Sequence, residues 1–368
     1  MTSKVYFIDF RTTQQVNMFQ KLENLLNTAG LSNHIDKRDI TAIKLHFGEY
    51  GNLAYIRPVY IRKIVDLVRM YGGEPFITDA NTLYAGSRSD SVNHITTAIR
   101  NGFSYSVIDA PIIIADGIRG RSETEVTIDA KNCKKVFIAK EIMEADAVIS
   151  VSHFKGHELS GFGGAIKNMG MGCASRRGKM DQHSTLSPKI VKKRCIGCEQ
   201  CLEHCSQQAI QIVDNKATID QKKCIGCGEC ILICAQEAIT IRWNQEIPVF
   251  MEKMVEYTKG IIQVKGQKCF FINFINNVSP ACDCYGYNDA PIIQDVGILA
   301  SHDPVAIDQA SVDLVNAQEG LHSSCLKSNH QKGGDKFKAM YPSINWEIQL
   351  DYAVKLGIGQ RNYELLKI

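Results

Sequence analysis

The sequence predicts an α/β protein: a mostly parallel, three-layer sheet domain, made discontinuous by a small inserted α+β domain. Three observations carry this. Short apolar runs alternate with amphipathic stretches over residues 1–187, the order a parallel sheet covered by helices on both faces requires. The same alternation returns over residues 243–368. Between them, residues 188–242 carry one cysteine pattern twice, each copy followed by residues suited to a short helix and a strand, which reads as an internal duplication.

Each element has its own signal. Residues 5–10 form an apolar strand. Val16, Phe19, Leu22 and Leu26 recur at helical spacing, and Gly30 is placed to end that helix. Residues 41–45 make a second strand. Pro58 opens a helix with the stripe Ile61, Ile64, Val65 and Val68, closed by Gly72-Gly73. Residues 76–78 are a strand leading into Asp79-Ala80-Asn81. Residues 91–100 read as a helix stopping at Gly102, and residues 136–139 and 147–151 as two further strands. After the insert come a helix over 248–263 and strands over 269–274 and 298–301. Asp303-Pro304 then supplies an N-cap with proline at the first helical position, and the helix runs toward Gly320. One discontinuous domain is the simplest architecture. Two separate α/β domains are the alternative, since about 125 C-terminal residues suffice to fold alone.

The repeated pattern is C-x2-C-x2-C-x3-C: Cys195, Cys198, Cys201 and Cys205, then Cys224, Cys227, Cys230 and Cys234. This spacing holds cubane iron–sulfur clusters, and in two-cluster proteins the fourth Cys of each run serves the other cube. Cys195, Cys198, Cys201 and Cys234 are therefore expected to hold one [4Fe–4S] cluster, and Cys205, Cys224, Cys227 and Cys230 a second. Gly197 and Gly226 sit inside the turns, where positive φ lets amide N–H groups face the cluster. Zinc knots are the rival, but zinc sites take their ligands as two pairs, and four cysteines in one run, twice, fit that poorly. Residues 188–242 resemble the bacterial two-cluster ferredoxin domain. They depart from it after each fourth cysteine, where the proline is Ser206 in one copy and Ala235 in the other.

Composition bounds the rest. The 368 residues are 45% apolar and 22% charged, as in an ordinary globular protein. A net charge of +3 gives no argument for nucleic acid. The short basic stretches Lys189–Arg194 and Lys222-Lys223 read as solvated residues beside anionic clusters. No apolar run reaches the roughly 18 residues of a membrane span. The start MTSKVYFIDF lacks a signal-peptide layout, and so many thiols imply a reducing, cytoplasmic setting; the oxygen lability of exposed clusters adds the expectation of an anaerobic source.

Candidate site residues cluster after the strand at 147–151. His153, Lys155 and His157 are followed by Gly161, Gly163, Gly164, Lys167 and Asn168. Open α/β sheets bind ligands at the carboxyl ends of their strands. The glycines are expected to let backbone N–H groups converge on an anion at a helix N-terminus, with Lys155, Lys167 and Asn168 adding donors. Lys44, His46, Asp79 and Asn81 sit at two other strand ends and are expected to share the cleft. Cys282 and Cys284 flank one residue. They read as part of a third metal site with His153, His157 or His183, as a redox pair, or as packing beside the clusters. Cys133, Cys173, Cys269 and Cys325 read as ordinary buried cysteines.

These motifs carry a family resemblance. Lys155-Gly156-His157, the Gly163–Gly170 stretch, Cys282-Asp283-Cys284 and Asp303-Pro304-Val305-Ala306-Ile307-Asp308 resemble the DUF362 family of iron–sulfur proteins, with the ferredoxin-like insert between two DUF362 parts. The resemblance implies an iron–sulfur protein and names no substrate. The first reading is a ferredoxin-linked oxidoreductase that exchanges electrons with a soluble donor or acceptor protein. In it, His153, Lys155 and His157 move protons or bind an anionic ligand, and Gly163, Gly164, Lys167 and Asn168 hold that ligand. The rivals are a non-catalytic electron carrier or partner-docking protein, and a cluster or metal maturation protein.

Overall fold

The computed structural model describes every residue except Met1, Ala85, 184–187, Ser206, 225–227 and 241–245, and gives no side-chain placement for Glu229 and Leu232. Strand β1 (Ser3–Asp9) leads to helix α1 (Met18–Thr28). The Asn17 side chain accepts from Phe19 N and Gln20 N, and Gln20 returns the bond to Asn17 N, a capping box. Gly30, at φ 79°, takes the left-handed conformation just past the helix. Then come β2 (Ile40–Lys44), α2 (Pro58–Met70), β3 (Glu74–Asp79), α3 (Ser91–Arg100), α4 (Tyr105–Ile108) and β4 (Ile112–Ile114). In α2 the stripe Ile61, Ile64, Val65 and Val68 is buried, each side chain stabilising the fold by about 1.5–3 kcal/mol relative to exposure. The chain continues through β5 (Glu123–Thr127), β6 (Lys135–Ala139), α5 (Lys140–Glu144), β7 (Ala147–His153), β8 (Lys155–His157), β9 (Gly161–Gly163), α6 (Ala165–Gly170) and α7 (Arg176–His183).

The cysteine-rich stretch is small. It contains β10 (Lys189–Ile190), α8 (Gln200–Glu203), β11 (Ile210–Val213), β12 (Lys216–Ile219), α9 (Glu229–Ile233) and β13 (Ile239–Thr240). Its pairings are β10 with β13 and β11 with β12, both antiparallel. The expected boundaries at 187/188 and 242/243 fall in or beside segments outside the described residues, as do Cys227, Gly226 and Ser206. The remaining elements are α10 (Ile247–Lys265), β14 (Cys269–Ile275), β15 (Gly297–Ser301), α11 (Pro304–Asn316), α12 (Lys336–Met340), α13 (Glu347–Lys355) and β16 (Tyr363–Lys367).

One eight-stranded sheet runs in the order β16-β1-β15-β14-β7-β2-β3-β4. Its pairings are parallel except those of β15, which is antiparallel to β1 and to β14. Strands from before and after the cysteine-rich stretch bond directly, β7 with β14 and β1 with β15, so the flanking parts share one sheet. Every residue of β7 is buried, as expected of a central strand covered on both faces. One face packs on α1 to α4, the other on α6, α10, α11 and α13.

Two differences from expectation have simple causes. Strand β6 pairs with β5 in a separate hairpin. Its Val136 and Ile138 are buried while Lys135 is exposed, the alternation of a strand with one wet face. Strand β16 was not anticipated, because its residues are half-buried or exposed and its place on the sheet edge rests on backbone pairing with β1. Among the described residues, no helix is long and apolar enough to cross a membrane.

Helices α6 and α10 meet at Gly170, where a Cβ would lie 2.0 Å from Met254 O. Gly170→Ala must push two backbones apart, and is expected to cost about 1–3 kcal/mol. Chemical denaturation checks this; an unchanged midpoint would show that the crossing is loose.

Candidate functional site

Strands β7, β2 and β3 are neighbours and parallel, so their carboxyl ends open on one edge of the sheet. A cavity of about 700 Å³ sits there, lined by Lys44, His46, Asp79, His153, Lys155 and His157, with Gly163, Gly164, Lys167, Asn168, Cys282 and Cys284. The three polar strand ends and the Cys-x-Cys pair therefore come together. Asn81 does not join them. Its amide donates to Asp116 Oδ1 at 2.8 Å and Gly117 O at 2.9 Å, bracing the next loop.

The cavity wall is organised around Asp283, the residue between the two cysteines. Its carboxylate is fully buried. His153 Nδ1 lies 2.9 Å from Oδ1 and Lys155 Nζ 3.0 Å from Oδ2. Burial alone would raise this carboxyl, but the charges of His153 and Lys155 overcome it and hold it well below the usual range. His153 Nε2 faces Asn276 O at 2.9 Å, so each ring nitrogen faces an acceptor and donates. His153, expected to act on a ligand, is thereby committed to holding the thiol loop.

The sulfurs sit either side of this clamp. Cys282 Sγ donates to Cys284 Sγ at 3.0 Å. Lys167 Nζ lies 3.4 Å from Cys282 Sγ, and His46 Nε2 3.4 Å from Cys284 Sγ. His46 Nδ1 accepts from Gly48 N at 2.9 Å, so its proton is on Nε2 and points at Cys284. The bond from Cys282 holds Cys284 well below the ordinary thiol range against burial, with His46 and Lys167 adding to it. The same bond, with burial, pushes Cys282 up.

His157 Nδ1 accepts from Leu159 N at 3.3 Å and Ser160 N at 3.2 Å, which leaves its proton on Nε2. Burial and then Lys167 hold it well below the usual imidazole range, so it is a neutral donor. A metal ligand would present a lone pair. His46 and His157 present Nε2–H and His153 is doubly engaged, so these three rings are not set as ligands beside the thiols. His183 lines the cavity, stacks on Phe250 at 4.9 Å, and is pushed down to about 3 by burial. Among the described residues, no group of three Cys, His, Asp or Glu side chains is arranged to hold a single metal ion.

The glycine-rich loop differs from expectation. The N-terminus of α6, after Gly163-Gly164, is already filled by Asp308. Its carboxylate accepts from Ala165 N at 2.7 Å and Ile166 N at 3.0 Å, and from Asn273 Nδ2 at 2.8 Å. A Cβ on Gly164 would lie 2.2 Å from Asp308 Oδ1, so that glycine admits an internal anion. Asn168 is likewise structural: its side chain accepts from Lys44 Nζ at 2.8 Å and donates to Ser150 Oγ at 2.9 Å. Lys44 and Arg88 pair with Asp79 at 3.0 and 3.4 Å, and Arg88 with Glu49 at 3.2 Å. Lys179, also in the wall, is pushed down to about 8 by burial. Asp283, Asp308, Arg88, Glu49 and Lys179 escape sequence reasoning. Only the two aspartates lay in a motif already singled out, Cys282–Cys284 and Asp303–Asp308.

In the small module, Cys195, Cys198, Cys201 and Cys234 line one small cavity. Backbone N–H groups point at three sulfurs: Ala217 N to Cys195 at 3.3 Å, Ala238 N to Cys234 at 3.2 Å, and Ala209 N to Cys205 at 3.3 Å. Such donors lower the energy of thiolates bound to a cluster. Gly197 adopts a φ of 70°, as expected, while Gly226 lies outside the described residues; Glu199 and Gly228, which the sequence did not single out, also take positive φ, 64° and 71°. The second run docks on the large sheet domain. A Cβ on Gly228 would lie 2.9 Å from Leu83 Cδ1, Ile231 packs with Leu83 and Met180, and Leu83 lines the large cavity.

Residues 41–313 match the family model described as "Domain of unknown function (DUF362)", a span running straight across the cysteine-rich module. No curated protein matches the chain. Among solved structures, the lactate racemase apoprotein from Thermoanaerobacterium thermosaccharolyticum aligns at 14% identity with a TM-score of 0.34, covering 59% of this chain and 50% of that one. The alignment thus spans half of the racemase chain, and a superposition of that quality carries no argument about this protein.

Two outcomes are expected. Asp283→Asn leaves His153 and Lys155 buried beside a neutral partner and should cost about 3–5 kcal/mol. Because its folded pKa is depressed, the Asp283 contribution is present above the unfolded value of about 3.9 and lost as pH falls below it. Denaturation of both chains across pH checks this; equal stability at neutral pH would refute the clamp. Alkylation of Cys284 should stay nearly flat between about pH 6 and 8, where an ordinary thiol near pKa 8.5 gains about tenfold per unit. Site-mapped mass spectrometry reads the rates.

Proposed function

The chain belongs to the DUF362 family, and from that premise we propose that it is an iron–sulfur oxidoreductase whose substrate, a small anionic molecule, binds in the large cavity. Cys195, Cys198, Cys201 and Cys234 would hold one [4Fe–4S] cluster. Cys205, Cys224, Cys230 and Cys227, the last outside the described residues, would hold the other. Bound clusters supply electrons one at a time. The N–H groups of Ala217, Ala238 and Ala209 at cysteine sulfurs fit that role.

The observation that carries the reading is the docking of the second cysteine run on the cavity wall, through Gly228 and Leu83. A free-standing electron carrier has no need of a 700 Å³ cavity, mostly apolar with a few charged side chains in its wall, against one cluster site. In this reading Lys167 and the Nε2–H of His157 bind the ligand's negative charge, the neutral His157 ring acting as a hydrogen-bond donor. His153 and Lys155 act through Asp283, holding the wall. A soluble one-electron protein is the partner required.

Protein purified without oxygen is expected to hold about eight irons and eight sulfides per chain, as two cubes require, with spectra that bleach on reduction. Zinc in place of iron, or iron without sulfide, would overturn the proposal.

A further inference from the structure

We propose that Cys284 and Cys282 form a redox-active dithiol that reduces a small anionic disulfide in the cavity, Cys284 attacking and Cys282 resolving. The exchange stands on the cavity alone; only the renewal of the dithiol rests on the iron–sulfur reading.

The placement of the sulfurs separates them from core cysteines. Both line the cavity, with Sγ atoms 3.0 Å apart. Cys173 and Cys269, by contrast, are buried thiols pushed up to about 11 and about 12 by desolvation, which makes them inert. The loop that presents the pair is held from several sides. Besides the Asp283 clamp, Glu49 N donates to Asp283 O at 3.0 Å and Tyr84 Oη to Cys284 O at 3.1 Å. Asn52 Nδ2 donates to Tyr285 O and Tyr287 O at 3.2 and 3.1 Å. A loop fixed in this way holds two sulfurs in contact with each other and with the ligand space.

The chemistry follows from the proton positions. Cys284 is the thiolate, stabilised by the Cys282 S–H and by His46 Nε2–H. It attacks one sulfur of a bound R–S–S–R. That S–S bond breaks, an S–S bond to Cys284 forms, and R–S⁻ leaves and takes a proton from water. Cys282 then attacks Cys284 Sγ, and its proton passes to the second R–S⁻ as that leaves. Two electrons have passed from the thiol pair to the substrate, with one proton from Cys282 and one from water, giving two R–SH and a Cys282–Cys284 disulfide. A disulfide closed across a single residue is strained and therefore oxidising, so the transfer is driven forward by an excess of the substrate disulfide and by prompt re-reduction of the pair. Its re-reduction to the Cys284 thiolate and Cys282 thiol takes two electrons and one proton, and a one-electron iron–sulfur donor acting twice is the class of reductant required.

The charge pattern sets the substrate class. Lys44 and Arg88 are matched by Asp79 and Glu49, and Lys155 by Asp283. Lys167 faces the thiol pair. Once the Cys284 thiolate is consumed in the mixed disulfide, Glu158 is the negative charge of the cavity wall that still acts on Lys167, and a carboxylate of the substrate adds the closer contact. The size of the cavity admits a small molecule and not a folded partner.

The test uses the anaerobically purified chain, reduced and freed of reductant, mixed with oxidised glutathione, with cystamine as the cationic control. The wild type is expected to release about two thiols per chain and to give a mapped Cys282–Cys284 disulfide. Cys282→Ser should release one and trap glutathione on Cys284, and Cys284→Ser should release none. Lys167→Gln removes both a charge beside the Cys284 thiolate and a contact to the substrate carboxylate, so both reactions should slow, the glutathione reaction by about tenfold more than the cystamine reaction. Thiol release by Cys284→Ser at the wild-type rate, or cystamine reacting as fast as oxidised glutathione, would overturn the proposal. Iron is counted in every sample. Exchange without iron removes the iron–sulfur reading and leaves this one; iron without exchange does the reverse.

Discussion

A single buried carboxylate sets the shape of the cavity. Asp283 lies on a loop after β14, while its partners His153 and Lys155 lie at and just after the end of β7. The two strands are parallel neighbours, so the ion pairs tie two strand ends together above the sheet edge. A charge so deeply buried is tolerated only when its partners stay in place. The clamp therefore holds the backbone that carries both sulfurs, and one wall of the cavity follows from it. Opposite charges hold the facing wall, where Asp79 is shared by Lys44 and Arg88.

Asp308 does the same work beneath the floor. It reaches from α11 to cap α6, and Asn273 of β14 donates to it as well. Three elements distant in the chain meet on one carboxylate. Gly164 and Gly170 permit the approach, the first toward Asp308 and the second toward Met254. A glycine-rich segment following a strand usually invites an external anion; here the protein supplies its own. The helix end is satisfied internally, and the charged groups that face the cavity are side chains around the thiol pair.

The small module adds a second constraint. Its own apolar cluster includes Cys195, Cys201, Ile210, Ala217 and Ile239. So small a core gains much from an additional centre that binds several side chains. Its second run leans on Leu83 and Met180, so the module is seated against the wall it would serve. The sequence repeat, with matching N–H donors at Cys205 and Cys234, gives one copy to the cavity side and leaves Ile196 of the other copy exposed.

The sequence by itself determined the local elements and the cysteine spacing of the small module. Apolar periodicity, the Pro58 and Asp303-Pro304 starts and the glycine stops depend on neighbours along the chain, and the structure has helices and strands at those places. The spacing of the cysteine runs is equally local. The convergence of Lys44, Asp79 and His153 was legible too, because parallel strand order puts their ends on one edge. The tertiary structure alone decided what those residues do. His153 meets Asp283 across 130 residues, and Ala165 meets Asp308 across 143. No local pattern encodes which buried charge finds which partner. That choice depends on burial, which removes water as a competitor and makes each carboxylate select the donors the fold brings within reach.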